Sequence, residues 1–378
     1  MTDYEQESLS LHEKNGGKME IAATVPLTKQ ADLSRAYTPG VAAVSRAIGK
    51  DKELAYKYTI KKNTIAVVTD GSAILGLGNL GPEAALPVME GKAILFKEFA
   101  DINAFPICLS TQDPEEIIAT VKAIAPGFGG INLEDIAAPN CFIVERRLQE
   151  ELDIPVMHDD QHGTATVVLA GLINALKLRG LSKEKAKVVI IGAGSAGTAI
   201  MKILLAYGLK DIIVYDSQGA IYANRPNLTQ AKAEIAELTN PAQITGPLAE
   251  GIKDAHVFIG VSKPGLLSKE MVASMAEQPI IFALANPTPE IMPNEAISAG
   301  AFMVATGRSD FPNQVNNLLA FPGIFRGALD NRIKQFTEKH FLAAATALAG
   351  YLPRPTQDQI LPSPLDKGIV EAIKKVIT

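Results

Sequence analysis

Short apolar runs alternate with amphipathic stretches over the first 155 residues of the chain. Runs at 64–69 (TIAVVT), 104–109 and around Ile131 and Leu133 have the length and content of buried strands. Three intervening stretches have helical periodicity: 83–99 after Pro82, 114–124 with Asp113 as a candidate N-cap, and 139–149. Alternating strands and helices predict a mostly parallel sheet that is covered on both faces.

The remaining residues predict a second α/β unit. A helix without breakers runs from 163 to 180, and a short β-branched strand at 187–191 (KVVII) leads directly into GAGSAG. Further strands are expected at 211–215, 257–260, 280–284 and 302–305, and further helices at 338–350 and 364–378. We therefore expect an α/β fold with a smaller N-terminal domain (1–155) and a Rossmann-like domain (156–378), with a cleft between them. The last helices are expected to fold back on the first domain.

Composition narrows the class of protein. A chain of 378 residues exceeds the usual size of one core, and its net charge of −5 argues against nucleic acid or an anionic membrane as a partner. The N-terminus is polar and acidic, unlike a signal peptide, and no run approaches the roughly 20 apolar residues of a membrane span. Cys108 and Cys141 lie in apolar contexts, which predicts two reduced thiols and a cytoplasmic protein.

The GAGSAG segment has the pattern of a dinucleotide-binding turn. Gly192 allows a tight turn after the strand, Gly194 lets the backbone approach a pyrophosphate, and Gly197 permits close packing of helix and strand. Ala193 completes the turn, and Ser195 and Ala196 open a helix whose free N–H groups favour an anion. Asp216 follows at the end of the next strand, where a carboxylate accepts the ribose hydroxyls. We expect NAD rather than NADP, since a carboxylate repels a 2′-phosphate, although Ser217 and Gln218 could soften this preference.

Two acidic pairs follow predicted strands. Glu134 and Asp135 stand in GGINLEDI, and Asp159 and Asp160 in PVMHDDQHGTA. Adjacent residues on a strand point to opposite faces, so each pair can bind one ion only where the strand ends and the backbone turns. Carboxylates without cysteine suit Mg²⁺ or Mn²⁺ better than zinc. Either pair alone is equally compatible with solvated loop acids or helix N-caps, and the histidines at 158 and 162 leave zinc as a weaker alternative.

With these residues established, the sequence closely resembles the malic enzyme family, of the short bacterial type. The resemblance extends from about Leu33 to Pro322 and is carried by seven segments in order. They are SRAYTPGVA, VTDGSAILGLGNLGPEAALPVMEGKAILF, INLEDIAAPNCF, PVMHDDQHGTA, IGAGSAG, ALANPTPE and NQVNNLLAFPG.

The resemblance implies roles for individual residues. Glu134, Asp135 and Asp160 would be ligands of a divalent metal, with Asp159 beside them as a further catalytic residue. Lys92 matches the family's general base, which also contacts substrate, and Tyr37 matches its general acid. Taken alone, Lys92 would be read as a helix-surface lysine and Tyr37 as a turn aromatic.

The substrate contacts are expected to come from asparagines. Asn286 and Asn317 match residues that hold the substrate carboxylate, and Asn286 is also expected at the cofactor; Asn316 and Asn317 could exchange roles. Larger family members carry an arginine where this chain has Ala73. Its place could be taken by Ser72, by the asparagines, or by a cation from a partner subunit.

The implied reaction is the metal-dependent oxidative decarboxylation of L-malate to pyruvate and CO₂ with reduction of NAD(P)⁺, by a homodimer. Three alternatives share parts of the pattern. A malolactic enzyme would keep its NAD and release lactate, a non-catalytic NAD-binding regulator would not need Lys92, and an amino-acid dehydrogenase would work without a metal.

Overall fold

The computed structural model describes residues 4–75 and 77–378 of the chain. The strands are β1 Thr64–Thr69, β2 Asn103–Cys108, β3 Gly130–Leu133, β4 Val156–His158, β5 Lys187–Ile191, β6 Asp211–Asp216, β7 Gly219–Ala220, β8 Val257–Gly260, β9 Ile280–Ala283 and β10 Met303–Thr306.

The α-helices number sixteen within the described ranges. They are α1 Tyr4–Asn15, α2 Gln30–Ala36, α3 Val41–Lys50, α4 Leu54–Tyr58, α5 Pro82–Ala100, α6 Pro114–Ile124, α7 Asn140–Glu151, α8 Asp159–Arg179, α9 Ser195–Tyr207, α10 Gln230–Leu238, α11 Leu248–Gly251, α12 Lys269–Ala273, α13 Pro293–Ser298, α14 Phe321–Asp330, α15 Glu338–Tyr351 and α16 Gly368–Lys374.

The first sheet is entirely parallel, with strand order β2-β1-β3-β4. Every residue of β1 and of β3 is buried, which explains why both read as continuous apolar runs rather than alternating ones. Because parallel strands end at the same edge, the residues that follow β1, β3 and β4 are brought together there.

The second sheet has the order β10-β9-β8-β5-β6-β7, and its strands are parallel except for the short edge strand β7. The central strand β5 ends at Ile191, so the glycine turn lies at the carboxyl edge where the strand order reverses. The predicted α/β fold with a Rossmann-like domain is confirmed.

The two sheets are joined by α8, most of whose residues are buried. The predicted boundary after residue 155 falls just before β4, which pairs with β3 in the first sheet. One hydrophobic cluster contains residues of both sheets, so the domains share a core.

A helix that follows the second sheet, α14, packs on α5 of the first domain. The ring centroid of Phe96 on α5 lies 4.6 Å from that of Phe321 and 5.4 Å from that of Phe325, both on α14. This packing covers the helix face that carries Lys92.

One predicted helix begins earlier than the sequence suggests. It starts at Asp159 rather than at residue 163, so the second acidic pair forms the first turn of α8 instead of a loop. The strand β4 is only three residues long and leads into the helix without a connecting segment.

The N-terminal arm, residues 4–37, packs against little of the chain. Its helices α1 and α2 contain no buried residue. Within the described part of the chain, the arm is tied to α5 through Lys18, whose backbone N–H donates to Glu90 (3.0 Å) and whose Nζ donates to the Pro87 carbonyl (2.6 Å). Large apolar side chains exposed on the arm are Tyr4, Leu9, Leu11, Met19, Ile21, Val25, Leu27, Leu33 and Tyr37.

The helices and the two cysteines agree with what composition predicted. Among the described helices none combines the length and hydrophobicity required to cross a bilayer. Cys108 and Cys141 are both free thiols, and burial raises the pKa of Cys141 to about 12.

Candidate active site

Three carboxylates meet where β3 and β4 end. Glu134 and Asp135 follow β3, Asp160 lies in the first turn of α8, and one oxygen from each lies within 4.8 Å of the others. All three come from elements fixed by the first sheet, so a rigid scaffold holds the group. The sequence-predicted metal ligands are therefore brought together.

After Glu134 the backbone turns, because Asp135 adopts a left-handed conformation. Asp135 has a φ of 52°, a region that aspartate and asparagine tolerate better than other non-glycine residues. The backbone N–H of Asp135 donates to Asp160 Oδ2 (2.9 Å), and its carbonyl accepts from the N–H of Ala73 (3.0 Å). This kink lets two neighbouring side chains face one point instead of opposite faces of a strand.

Gly163 makes room for the carboxylate of Asp159. A Cβ at position 163 would collide with Asp159 Oδ1, because the aspartate folds back over the first turn of α8. The glycine in HDDQHGTA is thus needed for the site, although glycine inside a helix costs about 1 kcal/mol relative to alanine.

Lys92 projects from α5 into this group and is buried. Its Nζ lies 2.6 Å from Asp159 Oδ2 and 2.9 Å from Glu134 Oε1, and it stands 4.3 Å from the centroid of the Phe321 ring. Only 7% of the residue is exposed. The interpretation of Lys92 as an ordinary helix-surface lysine is therefore wrong for this fold.

The site contains four carboxylates and one ammonium group, so negative charge is in excess. Burial alone would lower the pKa of Lys92, but Asp159 and Glu134 raise it above its ordinary value. Burial and neighbouring carboxylates raise the pKa of Glu134, and burial and Asp160 raise that of Asp135 to about 7. Burial raises the pKa of Asp159 as well, although Lys92 opposes the change.

Asn317 reaches the same site from the second domain. It begins a short 3₁₀ turn after β10, and its Nδ2 donates to Asp159 Oδ2 (2.7 Å). Asn316 instead caps that turn by accepting from the N–H of Leu318 (2.9 Å). The geometry favours Asn317 over Asn316 for a role at the site.

Ser72 lies beside the carboxylates, with its hydroxyl already engaged. The hydroxyl donates to Asp70 Oδ1 (2.6 Å) and accepts from the N–H of Ala137 (2.8 Å), so it fixes the loop after β1. Within the described ranges, no arginine side chain hydrogen-bonds any residue of the carboxylate group.

Two expected site residues stand apart from this group. Tyr37 is 67% exposed, and its hydroxyl hydrogen-bonds nothing among residues 4–75 and 77–378. Asn286 follows β9 at the carboxyl edge of the second sheet and is exposed. Their roles therefore stay predictions.

Several residues at the site were not indicated by the sequence pattern. Asp70 is buried directly after β1, and Asn132 donates to Glu134 Oε2 (2.9 Å) from inside β3. A strand followed by an acid was a usable signal for Asp70, as it was for the two acidic pairs. Phe321 carries no chemical signal and is identified only by its packing on Lys92.

The donor set fits a hard divalent cation. Glu134 and Asp159 contact the ammonium group of Lys92, Asp135 and Asp160 lie close to Glu134, and Asp135 Oδ2 and Asp159 Oδ1 are buried without a hydrogen-bond partner in the described chain. Oxygen ligands of this kind suit Mg²⁺ or Mn²⁺. His158 and His162 do not join the three-oxygen group, which argues against the zinc alternative.

The glycine turn has the geometry of a pyrophosphate site. Gly192 has a φ of 114°, and a Cβ at Gly197 would collide with the Gly192 carbonyl oxygen. A Cβ at Gly194 would meet no protein atom within 4 Å, so the open space above this residue can admit a ligand. Ser195 and Ala196 begin α9 directly below, where free N–H groups favour a phosphate.

Asp216 ends β6 as predicted, but its carboxylate is already paired. Arg225 donates to both carboxylate oxygens (3.0 and 2.5 Å), and Lys232 Nζ lies 2.6 Å from Oδ2. Although burial opposes the change, these cations lower the pKa of Asp216 below its ordinary value. Because its charge is balanced, Asp216 repels a 2′-phosphate less than a free carboxylate would, which weakens the reason to expect NAD.

Comparison with known proteins identifies the family. Residues 16–149 match the family model of the malic enzyme N-terminal domain, and residues 161–376 match that of the malic enzyme NAD-binding domain. The chain belongs to the malic enzyme family. The predicted family and the oxidoreductase class are confirmed.

Similar proteins agree with the assignment to malic enzymes. The chain is 57% identical over 375 residues to a bifunctional malic/malolactic enzyme of Bacillus subtilis, covering 98% of this chain and 92% of that protein. It is 56% identical to an NAD-dependent malic enzyme of Geobacillus stearothermophilus, covering 96% and 76% of the two chains. The crystal structure of an NAD-dependent malic enzyme from Thermotoga maritima superposes with a TM-score of 0.96 at 50% identity, covering 98% of each chain.

Asp135→Asn tests the charge imbalance without straining the left-handed backbone. A raised pKa means that protonated Asp135 stabilises the metal-free fold below about pH 4 and that this contribution is lost as pH rises toward about 7. In EDTA, the variant should therefore melt at a higher temperature than the wild type at pH 8, with a smaller difference at pH 5, and it should no longer bind Mn²⁺. Equal melting temperatures at both pH values would contradict the imbalance.

Gly194→Ala tests the pyrophosphate site. The new methyl group meets no protein atom within 4 Å, so the melting temperature should stay unchanged, whereas it would occupy the space needed by the cofactor. Calorimetry should show NAD⁺ binding weakened by about tenfold or more. Gly49→Ala, equally open but on α3, is the matched control and should bind NAD⁺ normally. Unweakened binding by the Gly194 variant would place the cofactor elsewhere.

Proposed function

We propose that this protein oxidises L-malate with NAD(P)⁺ and decarboxylates the product to pyruvate and CO₂ at a divalent metal. The observation that carries the proposal is Lys92, buried beside three carboxylate oxygens that lie within 4.8 Å of one another. A buried base next to an oxygen-donor set is what a 2-hydroxy acid requires, since its hydroxyl must be both bound and deprotonated.

Glu134, Asp135 and Asp160 would hold the cation, which in general polarises the hydroxyl and carbonyl oxygens of such a substrate. Lys92 would take the proton of the C2 hydroxyl as hydride leaves C2 for the nicotinamide ring. Its proton is held by Asp159 and Glu134, so it can act as a base only when the charge of these carboxylates is offset. Metal dependence follows directly from that requirement.

Asp159 and Asn317 would position the reacting groups. Asp159 Oδ2 accepts from both Lys92 and Asn317, so the ammonium group is fixed between two domains. Asn317 and Asn286 would bind the substrate carboxylates from the second domain, with Asn286 also near the cofactor. Tyr37 would donate the proton that C3 takes up after CO₂ leaves.

We further propose a homodimer in which Tyr37 reaches the site of the second subunit. The arm exposes Tyr37 and eight other large apolar side chains, and exposed apolar surface is a common feature of protein–protein interfaces. A second apolar patch lies near the carboxylates, formed by Leu75, Leu77 and Leu80 after Ser72 and by Leu86 on α5. Two apolar surfaces on one chain could cover each other in the self-complementary contact of a twofold dimer.

Either nicotinamide cofactor is compatible with the paired Asp216. Relatives include proteins named NAD-dependent and others named NADP-dependent. NAD is proposed first because Asp216 stands at the expected ribose position. A reducing compartment such as the cytoplasm suits the two free thiols.

A malolactic activity is the second candidate, because the relative at 57% identity is named as bifunctional for malic and malolactic activity. Such a reaction would leave lactate and no free reduced cofactor. The regulator and the metal-free dehydrogenase are less well supported, because neither would need Lys92 buried among four carboxylates.

The assay combines purified full-length protein with L-malate, Mn²⁺ and either NAD⁺ or NADP⁺. We expect reduced cofactor and pyruvate in equal amounts, both abolished by EDTA, and a kcat lowered about 10²–10⁴-fold by Lys92→Ala. Lys97→Ala is the matched control, since this lysine lies on the same helix in an exposed ion pair with Asp101. Lactate without reduced cofactor would identify the malolactic reaction, and full activity of the Lys92 variant would refute the proposed base.

Mixed dimers test where Tyr37 acts. If it serves the second subunit, mixing inactive Tyr37→Phe and Lys92→Ala chains creates one intact site per heterodimer and should restore about a quarter of wild-type activity. If Tyr37 acts within its own chain, both sites of every heterodimer stay defective and no activity returns. Full activity of Tyr37→Phe alone would refute the proposed acid instead.

A further inference from the structure

Glu145 is a buried carboxylate that the proposed mechanism does not use. It lies on α7 and is only 6% exposed, yet it faces the first turn of α8 rather than solvent. Ionised groups are seldom buried unless several hydrogen bonds compensate for the loss of water.

Its hydrogen bonds surround the Asp159–Asp160 pair in the chain. Oε1 accepts from the backbone N–H of His158 (2.7 Å), and Oε2 accepts from Gln161 Nε2 (2.9 Å). His162 Nε2 lies 3.1 Å from Oε1 and 3.2 Å from Oε2. One carboxylate thus binds the residue before the acidic pair and the two residues after it.

The contact with His162 extends this arrangement to the C-terminal helices. The imidazole ring stacks on Phe341 of α15, with centroids 4.4 Å apart and planes inclined by 7°. Burial alone would raise the pKa of Glu145, but His162 and His158 lower it, so the group stays ionised and accepts all of these bonds.

We infer that Glu145 is a positioning residue for the metal site. By fixing the entry into α8 on both sides of the acidic pair, it holds Asp160 in register with Glu134 and Asp135, which belong to the neighbouring strand end. The inference rests on the proposed function, because it requires those three carboxylates to bind a cation. Partners that orient metal ligands commonly change metal affinity by 10–100-fold when they are lost.

The test is Glu145→Gln, which keeps the size of the side chain but replaces one acceptor oxygen with an NH₂ donor, so that either the His158 N–H or the Gln161 amide loses its acceptor. Mn²⁺ binding is measured by electron paramagnetic resonance without malate, and NAD⁺ binding is measured by calorimetry. We expect the Mn²⁺ Kd to rise by about tenfold or more while the NAD⁺ Kd stays unchanged. Glu151→Gln is the matched control on the same helix, since Glu151 pairs with Lys122 and Arg147 at the surface.

A purely structural role would lower the melting temperature of the Glu145 variant and leave its Mn²⁺ Kd unchanged, and this result would overturn the inference. Should that variant fail to fold, Gln161→Met decides, because it removes one donor to an intact Glu145 and should raise the Mn²⁺ Kd in the same direction. An unchanged Mn²⁺ Kd in the Gln161→Met variant would also overturn the inference. If the wild type binds no Mn²⁺, the proposed function fails first and the inference with it.

Discussion

An excess of buried negative charge dominates this protein. Four carboxylates lie together at the edge of the first sheet, two of them, Glu134 and Asp159, in contact with Lys92, and one ammonium cannot balance them all. Burial first, and the neighbouring carboxylates second, raise the pKa values of Glu134, Asp135 and Asp159, so keeping these groups ionised is a cost to the folded chain. Such a cost persists only where the surrounding scaffold is stable enough to bear it, and here the three strands that lead into the site, β1, β3 and β4, are fully buried.

Much of the architecture could be predicted because the parallel strands are continuous apolar runs and the glycine turn follows one of them at once. The start of α8 could not be placed, because Asp159 and Asp160 are residues typical of loops and caps. The contacts made there come from distant parts of the chain: Lys92 contacts Asp159, and Glu145 accepts from the N–H of His158, the residue before the pair. The N-terminal helices carry little amphipathic signal and bury nothing within the described chain. Features that depend on tertiary contacts, such as the start of α8, were therefore the ones that the local sequence pattern did not predict.

The candidate site shows a similar division. Acids at strand ends were visible in the sequence, and the resemblance to malic enzymes supplied Lys92 and Asn317. The contacts that surround the predicted residues were not visible in the sequence. Neither Phe321, which packs on Lys92, nor Arg225 and Lys232, which pair with Asp216, has a local pattern that links it to the residue it contacts. Asp216 illustrates the consequence, because its position was predicted correctly while its charge environment was not.

The left-handed backbone at Asp135 makes the order of the two acids matter as well as their identity. A chain reading Asp-Glu instead of Glu-Asp at 134 and 135 would keep the charge, the donor atoms and the composition. It would nevertheless place the longer glutamate where φ is positive, a conformation that aspartate tolerates better. A chain with the two acids exchanged would thus keep the same ligand atoms without the same site. Metal binding therefore depends on the backbone conformation at each of the two positions as well as on the residue types.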